Sequence, residues 1–168
     1  MGTIRVAGLV SDSIVDGPGI RYAIFTQGCG HNCLGCHNPA THDFNSGVDI
    51  NIDKLIKQIV NNPLLSGVTL TGGDPFYQVD ATLELTYKLK SFGINIIAYT
   101  GFTYEELLKM KDTNPNLERL LHNIDVLVDG PYDENLRDLT LHFRGSSNQR
   151  IIDVPTSIKN HSVCLLNW

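Results

Sequence analysis

Three cysteines lie close together in the first quarter of the chain. Cys29, Cys33 and Cys36 have the spacing Cys-x3-Cys-x2-Cys, whereas the fourth cysteine, Cys164, lies near the opposite end. In a protein of a reducing compartment, thiols grouped in this way more often bind a metal or a cluster than form disulfides. The spacing therefore predicts a loop that holds one compact metal centre.

Two kinds of metal centre are compatible with these thiols. A structural zinc ion needs a closed tetrahedron, so His31, His37 or His42 would have to be the fourth ligand, and the second Cys/His knuckle that zinc sites usually have is missing. An iron–sulfur cluster held by three cysteines leaves one iron open to a substrate or cofactor. The spacing favours the cluster over zinc, and we expect the three histidines to form hydrogen bonds rather than to ligate iron.

The composition is that of one globular domain. With 168 residues, 42% of them hydrophobic, the chain can bury a core without disulfides, but it is too short for a complete (β/α)8 barrel of roughly 250 residues. The net charge of −5 argues against binding to a nucleic-acid backbone. There is neither a signal peptide nor a run of ~18 apolar residues. We therefore expect one domain over residues 1–168, in the cytoplasm, bound to neither nucleic acid nor membrane.

Strand and helix patterns alternate along most of the chain. Strand patterns cover residues 4–10, 21–28, 67–71, 94–99 and 125–129, with one more expected at 149–154. Helix patterns cover residues 53–61, 80–92 and 115–122, and a fourth helix begins after the capping box of Thr103 and Glu106. This order predicts an α/β fold with a mainly parallel sheet joined by right-handed crossovers.

The helix over residues 80–92 has the most specific pattern. We expect Asp80 to be its N-cap residue. Leu85, Leu89 and Phe92 recur at helical spacing, so we expect all three to face the core.

Polar or glycine-rich segments follow four of the predicted strands. These segments are the cysteine loop over residues 29–47 and the turns at 72–75, 99–101 and 129–131. The carboxyl ends of parallel strands meet at one edge of a sheet, where α/β proteins bind their ligands. We therefore expect the four segments to form a single site.

Several of these segments resemble the signatures of radical S-adenosylmethionine enzymes. The C-x3-C-x2-C loop follows an early strand, and the next strand ends in TGGDP, Thr71 to Pro75. The element DGPGIR, Asp16 to Arg21, resembles the DGPGxR element of glycyl-radical activating enzymes. VLVDGP at 126–131 and RGSSNQR at 144–150 complete the series. Within the superfamily, the chain is similar to the activators of anaerobic ribonucleotide reductases from about residue 14 to 151.

The resemblance implies a fold and an activity. The fold would be a truncated, open (β/α) partial barrel of the radical SAM type. Cys29, Cys33 and Cys36 would hold a [4Fe–4S] cluster whose open iron binds S-adenosylmethionine, and the chain would be a radical S-adenosylmethionine oxidoreductase. Reductive cleavage of that cofactor would give a 5′-deoxyadenosyl radical, which would take a hydrogen atom from a glycine of the anaerobic (class III) reductase and leave a glycyl radical.

The resemblance also implies contacts to S-adenosylmethionine. The turn of Gly72 and Gly73 would receive the methionine amino group, because a side chain there would block the approach. Gly35, Cys36 and His37 would lie beside the adenosyl group. Many members of the superfamily have an aromatic residue immediately before the third cysteine, where this chain has Gly35. Adenine stacking could therefore pass to His37, where reductase activators often carry tyrosine.

Other candidates each have two interpretations. Asp74 and Asp129 could contact the cofactor, or Asp74 could cap its own turn and Asp129 could end its strand. Arg21 could pair with a carboxylate near the site or extend from its strand towards solvent. RGSSNQR could be a partner-binding loop or an ordinary polar hairpin. For Cys164 we expect a small apolar role in a docked tail, and for Trp168 core packing rather than an interface.

The resemblance finally implies partners. The protein substrate would be the large subunit of an anaerobic ribonucleotide reductase, the electron donor would be flavodoxin-like, and the chain could form a homodimer within a larger complex. An arc of four or five strands would leave one side of the site open to a glycine-bearing loop. The alternatives are an activase of another glycyl-radical enzyme, of the formate-lyase type, and a non-catalytic zinc-binding adaptor.

Overall fold

A seven-stranded sheet forms the centre of the computed structural model, which describes residues 2–168. The strands in chain order are β1 (Thr3–Ser13), β2 (Arg21–Thr26), β3 (Val48–Asn51), β4 (Gly67–Gly72), β5 (Ile96–Tyr99), β6 (Val126–Asp129) and β7 (Arg150–Asp153). Their order across the sheet is β3-β1-β2-β4-β5-β6-β7. Six of these strands match the predicted strand patterns, and β3 is the one that the patterns did not predict.

Parallel pairing is confined to the centre of the sheet. Strands β2, β4, β5 and β6 pair in parallel, as the alternating pattern predicted. Strand β1 is antiparallel to β2 and β3, and β7 is antiparallel to β6. The connection from β1 to β2 spans only residues 14–20, too short for a crossover, so these two strands must run antiparallel. Within residues 2–168 the edge strands β3 and β7 do not pair with each other, and the sheet stays open.

Five helices pack on one face of the sheet. They are α1 (Ile52–Val60), α2 (Val79–Ser91), α3 (Tyr104–Met110), α4 (Pro115–Asn123) and α5 (Val154–Asn160). Their buried side chains share a core with alternate residues of the central strands, such as Leu70 of β4 and Ala98 of β5. Because successive strand residues point to opposite faces, Ile97 faces the side of the sheet that carries no helix.

A second, smaller apolar cluster lies on that helix-free face. Ile97 and Val128 are joined there by Leu166 and Trp168 of the C-terminal tail. The Trp168 ring also meets the ring of Phe143 edge to face, with centroids 5.5 Å apart. The prediction that the tail packs on the core is confirmed for these two tail residues.

Helix α2 corrects two predictions made from its sequence. Its N-cap residue is Gln78, and Asp80 lies inside the first turn, because the helix begins one residue earlier than expected. Phe92 is 57% exposed at the C-cap position, so it is not part of the buried stripe. Thr82 and Thr86 take the places between the buried leucines, and their hydroxyls donate to carbonyl oxygens of the preceding turns.

Arg21, at the start of β2, follows neither of the two interpretations given above. Its side chain is fully buried and donates to Thr69 Oγ1 at 2.9 Å, to the Val68 carbonyl at 2.9 Å and to Asn95 Oδ1 at 2.8 Å. Burial lowers its pKa to about 10. Arg21 therefore ties β2 to β4 and to the approach of β5 at the end of the sheet opposite the four loops.

No helix in residues 2–168 has the length and apolar character needed to cross a membrane.

Candidate functional site

A cavity of about 460 Å³ opens where the four parallel strands end. All four segments that were expected to converge contribute to its wall. The contributing residues are Cys29, Cys33 and Cys36, then Gly72 and Gly73, then Tyr99, Thr100 and Gly101, and finally Gly130. The predicted convergence of the loops is therefore confirmed.

The three clustered cysteines are half-buried free thiols on this wall. A tight turn brings two of them together, since the Cys36 N–H donates to the Cys33 carbonyl at 3.2 Å. Burial raises the pKa of the Cys29 thiol to about 11, against a hydrogen bond from the His31 backbone that lowers it. Metal ligation needs the thiolate form, so a centre bound at Cys29 must overcome this effect of burial.

The donor set fits a cluster better than a single ion. Across residues 2–168 no three side chains of His, Cys, Asp or Glu are close enough together to ligate one metal ion. In an iron–sulfur cluster each cysteine binds a different iron, so the thiolates lie farther apart while sharing one cavity. Three cysteines on one cavity wall meet that requirement. Cys164 is remote from them, with its N–H bound to Ser157 Oγ at 2.9 Å.

The turn after β4 packs directly against the start of the cysteine loop. The Gly73 N–H donates to the Thr26 carbonyl at 2.8 Å, and the Asp74 N–H donates to the Gly28 carbonyl at 3.0 Å. A Cβ atom on Gly73 would lie 2.5 Å from that Gly28 oxygen, so a larger residue would force the two segments apart. Gly72 has a φ of +93°, which also favours glycine. Since the N–H of Gly73 is already used, this turn can offer a ligand its carbonyl oxygens.

Asp74 is fully buried and lies behind the cavity wall. Its Oδ1 accepts from the Phe76 N–H at 2.9 Å, which caps the turn that follows β4. Its Oδ2 accepts from Thr100 Oγ1 at 2.8 Å and from the Gly101 N–H at 2.9 Å, and it lies 2.7 Å from His31 Nε2. One carboxylate therefore joins the turn after β4, the turn after β5 and the cysteine loop.

The three loop histidines have different surroundings. The His31 ring is packed edge to face against Phe102, with centroids 4.5 Å apart, and its Nε2 is held by Asp74. His42 Nε2 lies 3.4 Å from Cys36 Sγ. The His37 ring lies on the cavity wall with its centroid 5.2 Å from that of Tyr132.

Asp129 also lies behind the wall, at the end of β6. It is buried, and it accepts from the Tyr104 N–H at 2.8 Å and from the guanidinium of Arg150 at 2.5 and 3.0 Å. Arg150 also binds both carboxylate oxygens of Glu105 on α3. The hydrogen bond to Asp129, followed by that to Glu105, raises the pKa of Arg150. The Arg150 guanidinium in turn lowers the pKa of Glu105. Asp129 thus fastens α3 and β7 to β6.

The structure divides the predicted cofactor contacts into two groups. Cys36, His37, Gly72 and Gly73 line the cavity. Gly35, Asp74 and Asp129 do not; Gly35 has a φ of +76°, and a Cβ atom there would lie 2.9 Å from the Glu134 carboxyl group.

The RGSSNQR segment forms one wall of the cavity. The Gln149 side chain accepts from the N–H groups of Gly145 and Ser146, at 2.9 and 3.2 Å, and donates to the Gly130 carbonyl at 3.1 Å. These contacts make the segment an ordered hairpin docked on the end of β6. Arg144 and Gly145 line the cavity beside it.

Sequence reasoning missed Tyr132, and it placed Tyr99 at the site only as part of the turn at residues 99–101. Tyr132 packs over Gly145, where a Cβ atom would lie 3.1 Å from the tyrosine ring, and it supplies an aromatic ring next to His37. The Tyr99 hydroxyl donates a hydrogen bond to the Phe143 carbonyl at 2.6 Å. Burial raises the pKa of Tyr99, and the negative charge of Asp16 raises it further. The available signal was position, because Tyr132 directly follows VLVDGP and Tyr99 is the last residue of its strand.

Two exposed apolar residues mark the mouth of the cavity. Val15 and Leu139 both line it, and they are 73% and 82% exposed. One comes from the loop before β2 and the other from the segment before RGSSNQR. Single exposed apolar residues are common on protein surfaces, and these two are distinguished by lining the same cavity.

Comparison with known proteins gives a consistent result. The family model of the 4Fe-4S single cluster domain matches residues 15–152. The anaerobic ribonucleoside-triphosphate reductase-activating protein of Escherichia coli K12 is 35% identical over 144 residues, which cover 81% of this chain and 90% of that protein. The proteins of the same name from Vibrio cholerae and Enterobacteria phage T4 are 36% and 33% identical over 146 and 143 residues, covering 82% of this chain in both cases and 90% and 86% of those proteins.

Proposed function

The chain belongs to the family of the anaerobic ribonucleoside-triphosphate reductase-activating proteins, with a 4Fe-4S single cluster domain, and we propose that it activates such a reductase by generating a glycyl radical on it. The observation that carries this proposal is the meeting of Cys29, Cys33 and Cys36 with the carboxyl-end loops of three parallel strands in one cavity. An activase needs its cluster and its second cofactor side by side, and this arrangement provides that.

Two cofactors are assigned to the cavity. Cys29, Cys33 and Cys36 hold the [4Fe–4S] cluster, and S-adenosylmethionine occupies the adjoining space in a partial barrel of the radical SAM type. When bound, the two groups would supply a 5′-deoxyadenosyl radical: one electron from an external reductant, passed through the cluster, would break the sulfonium–C5′ bond and leave methionine, and the radical would take a hydrogen atom from a glycine of the reductase. A volume of about 460 Å³ is within the usual range for a ligand of this size.

The protein binds and orients these cofactors. The carbonyl oxygens of the Gly72–Gly73 turn accept from the methionine ammonium group. The rings of His37 and Tyr132 flank the adenine, so that the aromatic surface missing at Gly35 is supplied from the segment after β6. Asp74 and Asp129 act on the loops that carry these groups rather than on the cofactor, since both are buried off the cavity wall and each of their carboxylate oxygens already accepts a protein hydrogen bond.

The reductase approaches at the rim formed by Val15 and Leu139. Both side chains are exposed, and the sheet behind them is open, so a glycine-bearing loop of the partner can reach the cavity. Contact with the apolar rim would exclude water from the cavity while the radical is transferred. The flavodoxin-like electron donor and the homodimer remain predictions from the resemblance.

The two alternative functions make different demands. A zinc-binding adaptor needs a closed set of four ligands, and residues 2–168 contain no such single-ion group. An activase of the formate-lyase type would share the cluster chemistry, but the relatives that match over most of this chain carry the name of reductase activators.

The proposal is tested by anaerobic reconstitution with iron and sulfide, followed by incubation with S-adenosylmethionine, a reductant and the anaerobic reductase of the same organism. We expect formation of 5′-deoxyadenosine and a gain of reductase turnover. A colourless protein that retains one zinc ion and cleaves nothing would refute the proposal. Cleavage that activates a formate-lyase-type enzyme but not the reductase would establish the second alternative.

A further inference from the structure

The cavity wall carries few positive charges. Among the wall residues that the structure describes, Arg144 is the one lysine or arginine. The carboxylates on the same wall are Asp16 and Asp138. An anionic group that enters this cavity therefore meets a single permanently positive side chain on the described wall.

The guanidinium of Arg144 is only partly used by the protein. Its Nη1 donates to the Gln149 carbonyl at 2.7 Å, which fixes the side chain against the RGSSNQR hairpin. Its Nε is buried and has no hydrogen-bond partner within residues 2–168. No carboxylate in that part of the chain lies within ion-pair distance of it.

Asp138, whose carboxylate is affected by the charge of Arg144, accepts its hydrogen bonds from elsewhere. Asp138 Oδ1 accepts from the N–H and the hydroxyl of Thr140, at 2.9 and 2.6 Å. These hydrogen bonds, with a smaller contribution from the charge of Arg144, lower the pKa of Asp138. The buried Nε has no exposed surface that a ligand could reach. Of the terminal nitrogens only Nη1 has a partner within residues 2–168, and the side chain lies on the cavity wall, so these nitrogens are available to a ligand that supplies an acceptor.

We propose that Arg144 binds the carboxylate of the methionine part of S-adenosylmethionine. This inference rests on the proposed function, since it assumes that S-adenosylmethionine is the cofactor in this cavity. A guanidinium matches a carboxylate through parallel N–H donors, which a lysine ammonium cannot reproduce. The same wall offers carbonyl oxygens of the Gly72–Gly73 turn for the ammonium group, so the two charged ends of the amino acid each have a partner of suitable chemistry.

Contacts of the RGSSNQR segment hold Arg144 in place. Gln149 joins Arg144 to the Gly130 carbonyl at the end of β6, through its own carbonyl and its side-chain amide. Arg144 is therefore built on an ordered element. This assigns RGSSNQR a binding role inside the cavity, in place of the two interpretations made from its sequence.

The test compares two ligands that differ in one group. Equilibrium binding of S-adenosylmethionine and of decarboxylated S-adenosylmethionine is measured without reductant on the anaerobically reconstituted protein. We expect the preference of the unmodified protein for the carboxylated ligand to fall by roughly tenfold or more in Arg144→Gln, because a charge-assisted contact is lost. Affinity for the decarboxylated ligand should change little. The control is Arg137→Gln, an exposed arginine seven residues before Arg144 that is off the cavity wall.

The outcomes separate the inference from the proposed function. If Arg144→Gln keeps the full preference, Arg144 does not bind the carboxylate, and the proposed function still stands. If the reconstituted unmodified protein binds neither ligand, the proposed function itself fails. Iron content and thermal unfolding are measured on every variant. If Arg144→Gln cannot hold its cluster, Arg144→Lys is measured instead, because a lysine ammonium lacks the paired N–H donors of a guanidinium. A preference for the carboxylated ligand that falls at least about threefold supports the inference. An unchanged preference overturns it.

Discussion

His31 Nε2 lies 2.7 Å from Oδ2 of the fully buried Asp74, and this contact fastens the cysteine loop to the end of β4. The same oxygen accepts hydrogen bonds from Thr100 Oγ1 and from the Gly101 N–H. Three of the four loops of the site are thus held by one carboxylate. Their mutual positions should depend on it more than on any other single side chain.

Replacing Asp74 with asparagine should therefore destabilise the fold as well as the site. Either orientation of the asparagine amide places its NH2 group against a backbone N–H, of Phe76 or of Gly101, and removes the negative charge, so we expect the free energy of unfolding to fall by roughly 3 kcal/mol. His31→Ala should cost less, because Asp74 keeps its other partners. Anaerobic urea unfolding of the reduced protein measures both changes. Asp12→Asn, at an exposed position, is the control, and an Asp74→Asn variant as stable as this control would contradict the role of Asp74.

Single alanine variants of the cysteines should separate three ligands from one bystander. Cys29→Ala, Cys33→Ala and Cys36→Ala should each lose most of the roughly four irons expected per reconstituted chain. Cys164→Ala should keep them, because its thiol is remote from the cavity. Iron and sulfide analysis with visible absorption provides the measurement. Loss of iron in the Cys164 variant alone would reverse the assignment.

The ion pair between Glu105 and Arg150 should make part of the stability depend on pH. The guanidinium holds the pKa of Glu105 below its ordinary value of 4.5 in the folded chain. Between the folded pKa and 4.5 the unfolded chain binds more protons, so this stabilisation is complete above 4.5 and is lost as the pH falls through the folded pKa. Unfolding of Glu105→Gln should show a deficit of about 0.5 kcal/mol at neutral pH that shrinks in acid.

The control for this experiment is Glu106→Gln, on the same helix. Glu106 is exposed and forms no ion pair in the part of the chain that the structure describes. Glu106→Gln removes the same charge from the same helix and leaves the ion pair with Arg150 in place, so the difference between the two variants isolates the contribution of that ion pair. If the loss of unfolding free energy in Glu105→Gln stays constant down to about pH 3, protonation of Glu105 is not coupled to unfolding.

The apolar rim should matter to the reductase more than to the cofactors. Leu139→Lys places a charge on an 82% exposed rim position, and we expect the rate of reductase activation to fall roughly tenfold. Uncoupled cleavage of S-adenosylmethionine, measured on the same preparations, should fall much less. Leu64→Lys is the matched control, since Leu64 is 73% exposed and is not part of the cavity wall. Equal effects of the two variants would place the docking surface elsewhere.

The ends of helices were predicted from short sequence patterns, because they depend on neighbouring residues. Thr103 caps α3 by accepting from the Glu106 N–H at 3.1 Å, and Pro115 opens α4. The convergence of the loops followed from a topological rule, because alternating strands and helices place carboxyl ends at one edge. The cysteines were found because their chemistry shows in their spacing.

Features that depend on distant partners were not predictable in the same way. Strand β3 has only four residues, two of them polar, and it exists because it pairs with β1. The burial of Arg21 depends on acceptors from β4 and from Asn95, far away in the sequence. Arg144 and Tyr132 lie in a segment without periodicity, so their places on the wall depend on how Gln149 docks the hairpin.

The most direct test of the central claim is electron paramagnetic resonance of the reductase after anaerobic incubation with this protein, S-adenosylmethionine and a reductant. We predict the signal of a glycyl radical on the reductase. It should be absent when Cys36→Ala replaces the unmodified protein and present with Cys164→Ala. Abundant cleavage of S-adenosylmethionine with no radical on the reductase, or a radical that forms equally well with the Cys36→Ala variant, would contradict the account.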